Sequence, residues 1–144
     1  MPSVERTIEV DQPIAKVWDY VSDFRSTEEW DPPTVSTVRT SGDGGVGTTY
    51  VNTSSFLGHE TQVEYRVTEF VPQSRLQLAG DAGKSLDLLD TITVESTATG
   101  TRLTYHAEFT TSGAAKLTEP LLPPALKILG DRVAESLRDH LTRL

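Results

Sequence analysis

The chain has 144 residues, a formal net charge of −8 at pH 7 and no cysteine. A chain of this length is expected to form a single domain over residues 1–144, and the lack of cysteine excludes disulfides, thiol nucleophiles and cysteine-ligated metal centres. The acidic charge argues against nucleic acid or an anionic membrane surface as a partner. No apolar stretch resembles a signal peptide or a membrane span, so we expect a cytoplasmic protein without membrane insertion.

The N-terminal third predicts a strand, two short helices and a second strand. Apolar and polar residues alternate from Ser3 to Val10, which predicts a strand with one apolar face. Asp11 is placed to cap a helix that has Pro13 in its first turn. Ser22 to Trp30 is interpreted as another short helix, and Val35 to Thr40 as a short strand.

From Val46 to Phe109 the pattern predicts almost continuous strand, arranged as three hairpins. Two-residue turns are expected at Leu57-Gly58 and Ala98-Thr99, and a four-residue turn at Val71–Ser74. In each hairpin apolar residues meet on one face, which predicts an antiparallel sheet with one covered side. The predicted pairs include Tyr50 with Tyr65, Val67 with Leu78, Glu69 with Leu76, Asp90 with Ala107, and Ile92 with Tyr105.

The C-terminal stretch Leu121 to Leu144 predicts one long helix. Its apolar residues recur at intervals of three and four, which is typical of one helical face. They are Leu122, Leu126, Leu129, Val133, Leu137, Leu141 and Leu144. A helix of about 20 residues is roughly 30 Å long, so a curved sheet is the expected partner for this face.

This order of elements resembles the helix-grip fold of the START-like (SRPBCC) superfamily, which includes the Bet v 1 allergens and the bacterial polyketide cyclase/dehydrase family. The segments that carry the resemblance are Asp11–Trp18, Trp30-Asp31-Pro32, Gly45–Thr48, Val67–Pro72, Gly100–Thr104 and the terminal helix. The resemblance implies an α+β fold in which a curved antiparallel sheet of about seven strands wraps around the C-terminal helix, with two short helices after the first strand. It also implies a cavity between sheet and helix that binds lipids, sterols, polyketides or plant hormones.

The face of the sheet that should meet the helix mixes apolar and polar side chains, which favours a cavity over a dry core. Unpaired polar groups in a dry core would cost about 1–3 kcal/mol each, whereas small-molecule sites are usually apolar with a few polar groups. Gly130, beside the apolar stripe, would leave room for a ligand. The predicted ligand-binding residues are Trp30, Tyr50, Asn52, Tyr65, Leu78, Asp90, Tyr105, Leu122, Leu126, Leu129 and Val133.

Asp90 has two interpretations, as do the aromatic candidates. Facing inward, Asp90 would have a raised pKa and could anchor a ligand or act as an acid or base; a bulge at Leu88-Leu89 would instead turn it towards solvent. The tyrosines either donate hydrogen bonds to a ligand or belong to the core. Trp30 either lies at the cavity rim or closes the core.

We therefore expect binding of a small, largely hydrophobic molecule, such as a lipid or a polyketide-like compound, without a cofactor or a metal. The sequence contains no strong catalytic motif, and its three histidines, at positions 59, 106 and 140, are not spaced to form a metal site. The absence of such a motif favours a binding protein over an enzyme. The alternative is a polyketide aromatase, cyclase or dehydrase that uses cavity acid/base residues, Asp90 with a tyrosine being the only pair that the pattern offers. A partner-binding module and a homodimer stay open.

Overall fold

The computed structural model describes residues 2–56, 58–83, 86–112 and 122–144, except for the side chains of Phe56, Leu122 and Pro123. Strand β1 is followed by two short helices, six further strands and a long helix, which is the predicted order. The elements are β1 (Ser3–Val10), α1 (Ile14–Val21), a 3-10 turn (Phe24–Ser26), α2 (Thr27–Trp30), β2 (Thr34–Ser41), β3 (Thr49–Phe56), β4 (His59–Val71), β5 (Arg75–Asp81), β6 (Leu86–Ser96), β7 (Thr101–Thr111) and α3 (Leu122–Thr142).

The seven strands form one antiparallel sheet in the order β1-β7-β6-β5-β4-β3-β2. Strands β2 to β7 are joined as successive neighbours, and β1 pairs with β7 at the other edge. The predicted pairs of Tyr50 with Tyr65, Asp90 with Ala107, and Ile92 with Tyr105 are confirmed. On the outer face Arg102 bridges Glu95 and Glu9, with nitrogen–oxygen distances of 3.0 and 3.1 Å.

One predicted register is wrong, at the turn between β4 and β5. Glu69 pairs with Gln77 rather than with Leu76, although Val67 still meets Leu78 as predicted. The connecting loop has three residues instead of the predicted four, because Val71 pairs with Arg75. Gln73, within this loop, has a left-handed φ of 56°. A three-residue hairpin loop commonly includes one left-handed residue, and an irregularity between Val67 and Glu69 absorbs the extra residue.

The predicted N-termini of the two helices in the N-terminal third are also wrong. Asp11 does not cap α1; Pro13 occupies the N-cap position in an extended conformation, and no side-chain capping bond is present in this described segment. The predicted helix Ser22–Trp30 is interrupted, because the Asp23 carboxylate accepts a 3.0 Å bond from the backbone N–H of Arg25 and starts the 3-10 turn instead. A side chain that bonds to nearby backbone competes in this way with regular helix.

The apolar stripe of α3 packs against the sheet as predicted. Its members Leu126, Val133, Leu137 and Leu141 are buried, and Leu129 is partly buried. Gly130 serves a different purpose from the one expected, because a β-carbon there would collide with a methyl group of Val4 and lie 3.0 Å from Cζ of Arg6. Gly130 therefore allows α3 to lie directly on β1.

The solid part of the core lies beside α1 and the C-terminal half of α3. Buried apolar side chains from these helices and from the sheet fill it: Val17, Trp18, Val21, Leu76, Ile92, Val94, Leu103, Leu137 and Leu141. The space beside the N-terminal half of α3 is filled less completely. The candidate site therefore lies beside the N-terminal half of α3, where the core is less completely filled.

Candidate ligand-binding site

A cavity of about 160 Å³ lies between the sheet, α2 and Leu129 of α3. Most of its boundary is apolar or aromatic, from Phe24, Trp30, Pro33, Val63, Ala82, Leu86, Leu88, Phe109 and Leu129. Its polar groups are Thr27, Asp31, Asn52, Ser54, Thr61, Tyr65, Asp90 and Tyr105. An apolar space with a few converging polar groups is the usual character of a small-molecule site.

The predicted site residues divide into two sets. Those that line the cavity are Trp30, Asn52, Tyr65, Asp90, Tyr105 and Leu129. Those that are buried in the core without lining it are Tyr50, Leu78, Leu126 and Val133. The side chain of Leu122 lies outside the described residues. The ring of Phe24, which lines the space, packs on both tyrosine rings, with centroid distances of 5.7 Å to Tyr50 and 4.9 Å to Tyr65, and of the two tyrosines only Tyr65 lines the cavity.

Asp90 faces inward, and the alternative of an outward-turning bulge is wrong. Its pairing with Leu78 and Ala107 belongs to a register that is continuous along β6, and the residue is 5% exposed. Its Oδ1 atom has no hydrogen-bond partner among the described residues. Burial and, to a smaller extent, the negative charge of Asp31 raise the pKa of Asp90, whereas a hydrogen bond with Tyr65 lowers it; together these effects bring the pKa to about 7.

Asp31 is a second acidic group in the cavity, and sequence reasoning missed it. The residue follows α2, and its Oδ2 atom accepts a 2.6 Å hydrogen bond from Oγ1 of Thr34. Burial raises the pKa of Asp31 to about 6, although the bond from Thr34 favours the ionised form. Trp30 was among the predicted ligand-binding residues and the adjacent Asp31 was not, although its position next to Trp30 was the available signal.

Two tyrosines supply hydroxyl groups beside these acids. Tyr65 and Tyr105 are both buried, and burial together with the charge of Asp90 raises their pKa well above the ordinary value. Both hydroxyls therefore stay protonated at neutral pH and can donate hydrogen bonds. The ring of Tyr65 lies over Gly80, where a β-carbon would be 2.7 Å from Cε1 of the tyrosine.

Trp30 lines the cavity and closes the core at the same time. The side chain is 1% exposed, and its Nε1 donates a 2.9 Å hydrogen bond to Oγ of Ser26. Its ring meets that of Tyr105 edge-on, with the centroids 5.8 Å apart, an arrangement that aromatic pairs prefer. The indole is thus fixed as one boundary of the cavity.

The amide of Asn52 is already used by its neighbours. Its Nδ2 donates to the hydroxyl oxygens of Thr34 and Thr37, at 3.0 and 2.9 Å, and its Oδ1 accepts a 2.6 Å bond from Ser54. These bonds hold β2 and β3 together at the edge of the cavity. Asn52 therefore has less capacity for a ligand than the unpartnered oxygen of Asp90.

A family model described as "Polyketide cyclase / dehydrase and lipid transport" matches residues 1–142. The chain belongs to this family. Membership confirms the resemblance stated for the sequence, and it supports a role of the hydrophobic ligand-binding or polyketide-cyclase type in general terms. A comparison with curated proteins finds no significant match.

Solved structures show the same fold as this polyketide cyclase/dehydrase family member at low sequence identity. The ZhuI aromatase/cyclase from Streptomyces sp. R1128 is 14% identical, with 99% of this chain and 94% of that chain covered and a TM-score of 0.82. A START superfamily protein from Mycobacterium smegmatis is 12% identical, with 98% and 97% covered and a TM-score of 0.81. Ara h 8.0201 is 17% identical, with 99% of each chain covered and a TM-score of 0.73. The helix-grip fold predicted from the sequence is confirmed.

The described residues of this family member contain no group of three or more His, Asp or Glu side chains arranged to hold a metal ion. Nor is any helix among them long and apolar enough to cross a membrane. What the cavity does hold is two carboxyl groups whose pKa values lie near neutrality, beside two hydroxyl donors. Such groups can anchor a polar part of a ligand, or exchange protons with it.

Proposed function

We propose that the protein binds a small, largely hydrophobic molecule, such as a lipid or a polyketide-like compound, in the cavity between the sheet and α3. The observation that carries the proposal is the unpartnered Oδ1 atom of Asp90 inside a largely apolar space. A buried polar atom without a partner costs about 1–3 kcal/mol. A ligand that hydrogen-bonds to this atom would remove that cost.

The size of the cavity limits what is fully enclosed. A cavity of about 150 Å³ in another protein holds one benzene ring, and the volume here is about 160 Å³. A neighbouring surface groove of about 310 Å³ shares Pro33 and Leu129 with the cavity and adds Ile128 and Arg132. A longer ligand would place one ring-sized end in the cavity and the remainder in this groove.

Titration with benzyl alcohol, followed by two-dimensional NMR of the ¹⁵N-labelled protein, tests the proposal. We expect shift changes centred on the indole N–H of Trp30 and on the backbone of Tyr65 and Asp90. The substitution Leu129→Trp should fill the cavity and abolish these changes, whereas Glu135→Trp, on the exposed side of α3, should keep them. Changes scattered over the surface, or equal in both variants, would contradict the proposal.

A second candidate is a polyketide aromatase, cyclase or dehydrase. It is favoured by two carboxyl groups in one cavity with pKa values of about 6 and about 7, since acid/base catalysis works best with groups that titrate near the working pH. A protonated Asp90 could donate a proton to a departing hydroxyl while an ionised Asp31 accepts one from carbon. Turnover of a poly-β-ketone that Asp90→Asn loses without losing binding would support this activity; absence of turnover in the unaltered protein would remove it.

A further inference from the structure

We propose that the cavity selects a hydrophobic amine, whose ammonium group binds Asp90 among the rings of Trp30, Tyr65 and Tyr105. This inference rests on the proposed function and names its ligand class. Its basis is the charge of the cavity boundary: the described lining residues include Asp31 and Asp90 and no lysine, arginine or histidine. No described residue of the lining therefore supplies a positive charge to these two groups, and a cationic ligand group would do so.

The oxygen of Asp90 is the specific point of attachment. Asp90 is 5% exposed, lines the cavity and has an Oδ1 atom with no partner in the described chain. An ammonium group carries three donors and no acceptor, so it would satisfy this atom and neutralise the carboxylate together. A neutral hydroxyl would do only the first, and an anionic ligand would be repelled by both acids.

The surrounding aromatic rings also favour a positively charged ligand group. Trp30, Tyr65 and Tyr105 all line the cavity, with Phe24 and Phe109 beside them. The faces of such rings attract cations, by about 0.5–2 kcal/mol depending on how far the cation is desolvated. A ring-sized apolar body attached to the amine would fill the remaining space.

The proposed contact between the ammonium group and Asp90 makes amine binding depend on the protonation state of Asp90. The titratable groups that face Asp90 in the cavity are Asp31, Tyr65 and Tyr105; the two tyrosines stay neutral, and Asp31 ionises at lower pH than Asp90. The pKa of Asp90 is about 7, and an ammonium ion binds only its ionised form well. The affinity for an amine that stays protonated should therefore rise about tenfold between pH 6 and pH 8, as the ionised fraction of Asp90 grows.

Three matched probes test the inference by calorimetry at pH 8: 2-phenylethylamine, 2-phenylethanol and phenylacetate, which share a ring and differ in charge. We expect the amine to bind at least ten times more tightly than the alcohol, and phenylacetate to bind most weakly. The amine should release about half a proton per molecule bound at pH 7, since about half of the Asp90 carboxyls are protonated there, and titrations in buffers of different ionisation enthalpy would detect this release. The alcohol should bind with little pH dependence.

Two variants that each remove one negative charge complete the test. Asp90→Asn should reduce the preference for the amine to threefold or less, whereas Asp139→Asn, on the exposed face of α3, should leave it intact. Equal binding of amine and alcohol by the unaltered protein would overturn the amine inference and leave the proposed binding function standing. Failure of all three probes to bind would overturn both.

Discussion

Asp31 and Asp90 line the same cavity, and the negative charge of Asp31 raises the pKa of Asp90. The two residues come from separate parts of the fold, one directly after α2 and the other from the middle of β6. Burial opposes the ionisation of both groups, because a buried carboxylate loses its hydration. Their presence lowers the stability of the folded protein wherever both are charged.

This cost predicts an unusual pH dependence of stability. The pKa values are about 6 for Asp31 and about 7 for Asp90 in the folded protein, against an ordinary value of 3.8. Between about pH 4 and pH 7 the folded state therefore holds more protons than the unfolded state, and the contribution of these groups to the free energy of unfolding falls as pH rises. Their stabilising contribution is complete only below about pH 4.

Asp90→Asn should remove most of this dependence. We expect the variant to be more stable than the unaltered protein at pH 8, and this difference in the free energy of unfolding to shrink by about 2–3 kcal/mol between pH 8 and pH 5. Urea unfolding of both proteins at the two pH values measures it. A constant difference between pH 5 and pH 8 would show that Asp90 ionises normally in the folded state.

Tyr65→Phe should raise the pKa of Asp90. The hydrogen bond with Tyr65 favours the ionised carboxylate, so its removal favours the protonated acid. The measurement is an NMR titration of the Asp90 carboxyl carbon. Tyr105→Phe is the matched control, since Tyr105 lines the same cavity and does not contribute to the pKa of Asp90 through a hydrogen bond. Equal titration curves for the two variants would refute the assigned bond.

Gly80→Ala should destabilise the protein by about 1–3 kcal/mol, the usual cost of overpacking. The new methyl group would lie 2.7 Å from Cε1 of Tyr65 and 2.9 Å from Cγ1 of Val63, so the tyrosine ring must move. Gly45→Ala is the control, because its nearest neighbour would be 3.4 Å away. Urea unfolding compares them, and a neutral Gly80→Ala would mean that the ring of Tyr65 moves freely.

Gly130→Ala should also destabilise, although alanine favours helix over glycine by about 1 kcal/mol. The added methyl group would meet Val4 and the guanidinium of Arg6 on β1, so α3 would be displaced from the sheet. Glu135→Ala, at an exposed position of the same helix, should leave the midpoint of thermal unfolding almost unchanged. A rise in that midpoint for Gly130→Ala would show that α3 has room to shift.

Features that depend on periodicity, such as strand pairing, could be predicted from the sequence. Which side chains line the cavity depends on tertiary packing and could not be predicted in full. Alternation in β3 and β4 is regular enough to predict the pairing of Tyr50 with Tyr65. Both tyrosines share one face and both contact the ring of Phe24, yet only Tyr65 lines the cavity. No local pattern contains that contact. The position of the partly buried Asp31 in the cavity lining is equally non-local, since it depends on how the chain returns after α2.

The pairing of β1 with β7, and the contact of Gly130 with β1, join the two ends of the chain. The hairpins from β3 to β7 connect neighbours in sequence and can form while the chain is still being synthesised on the ribosome. Partners distant in sequence assemble more slowly. The cavity beside Asp90 needs Leu129 of α3 to complete its boundary, so we expect the closed binding site to form only after α3 has been translated.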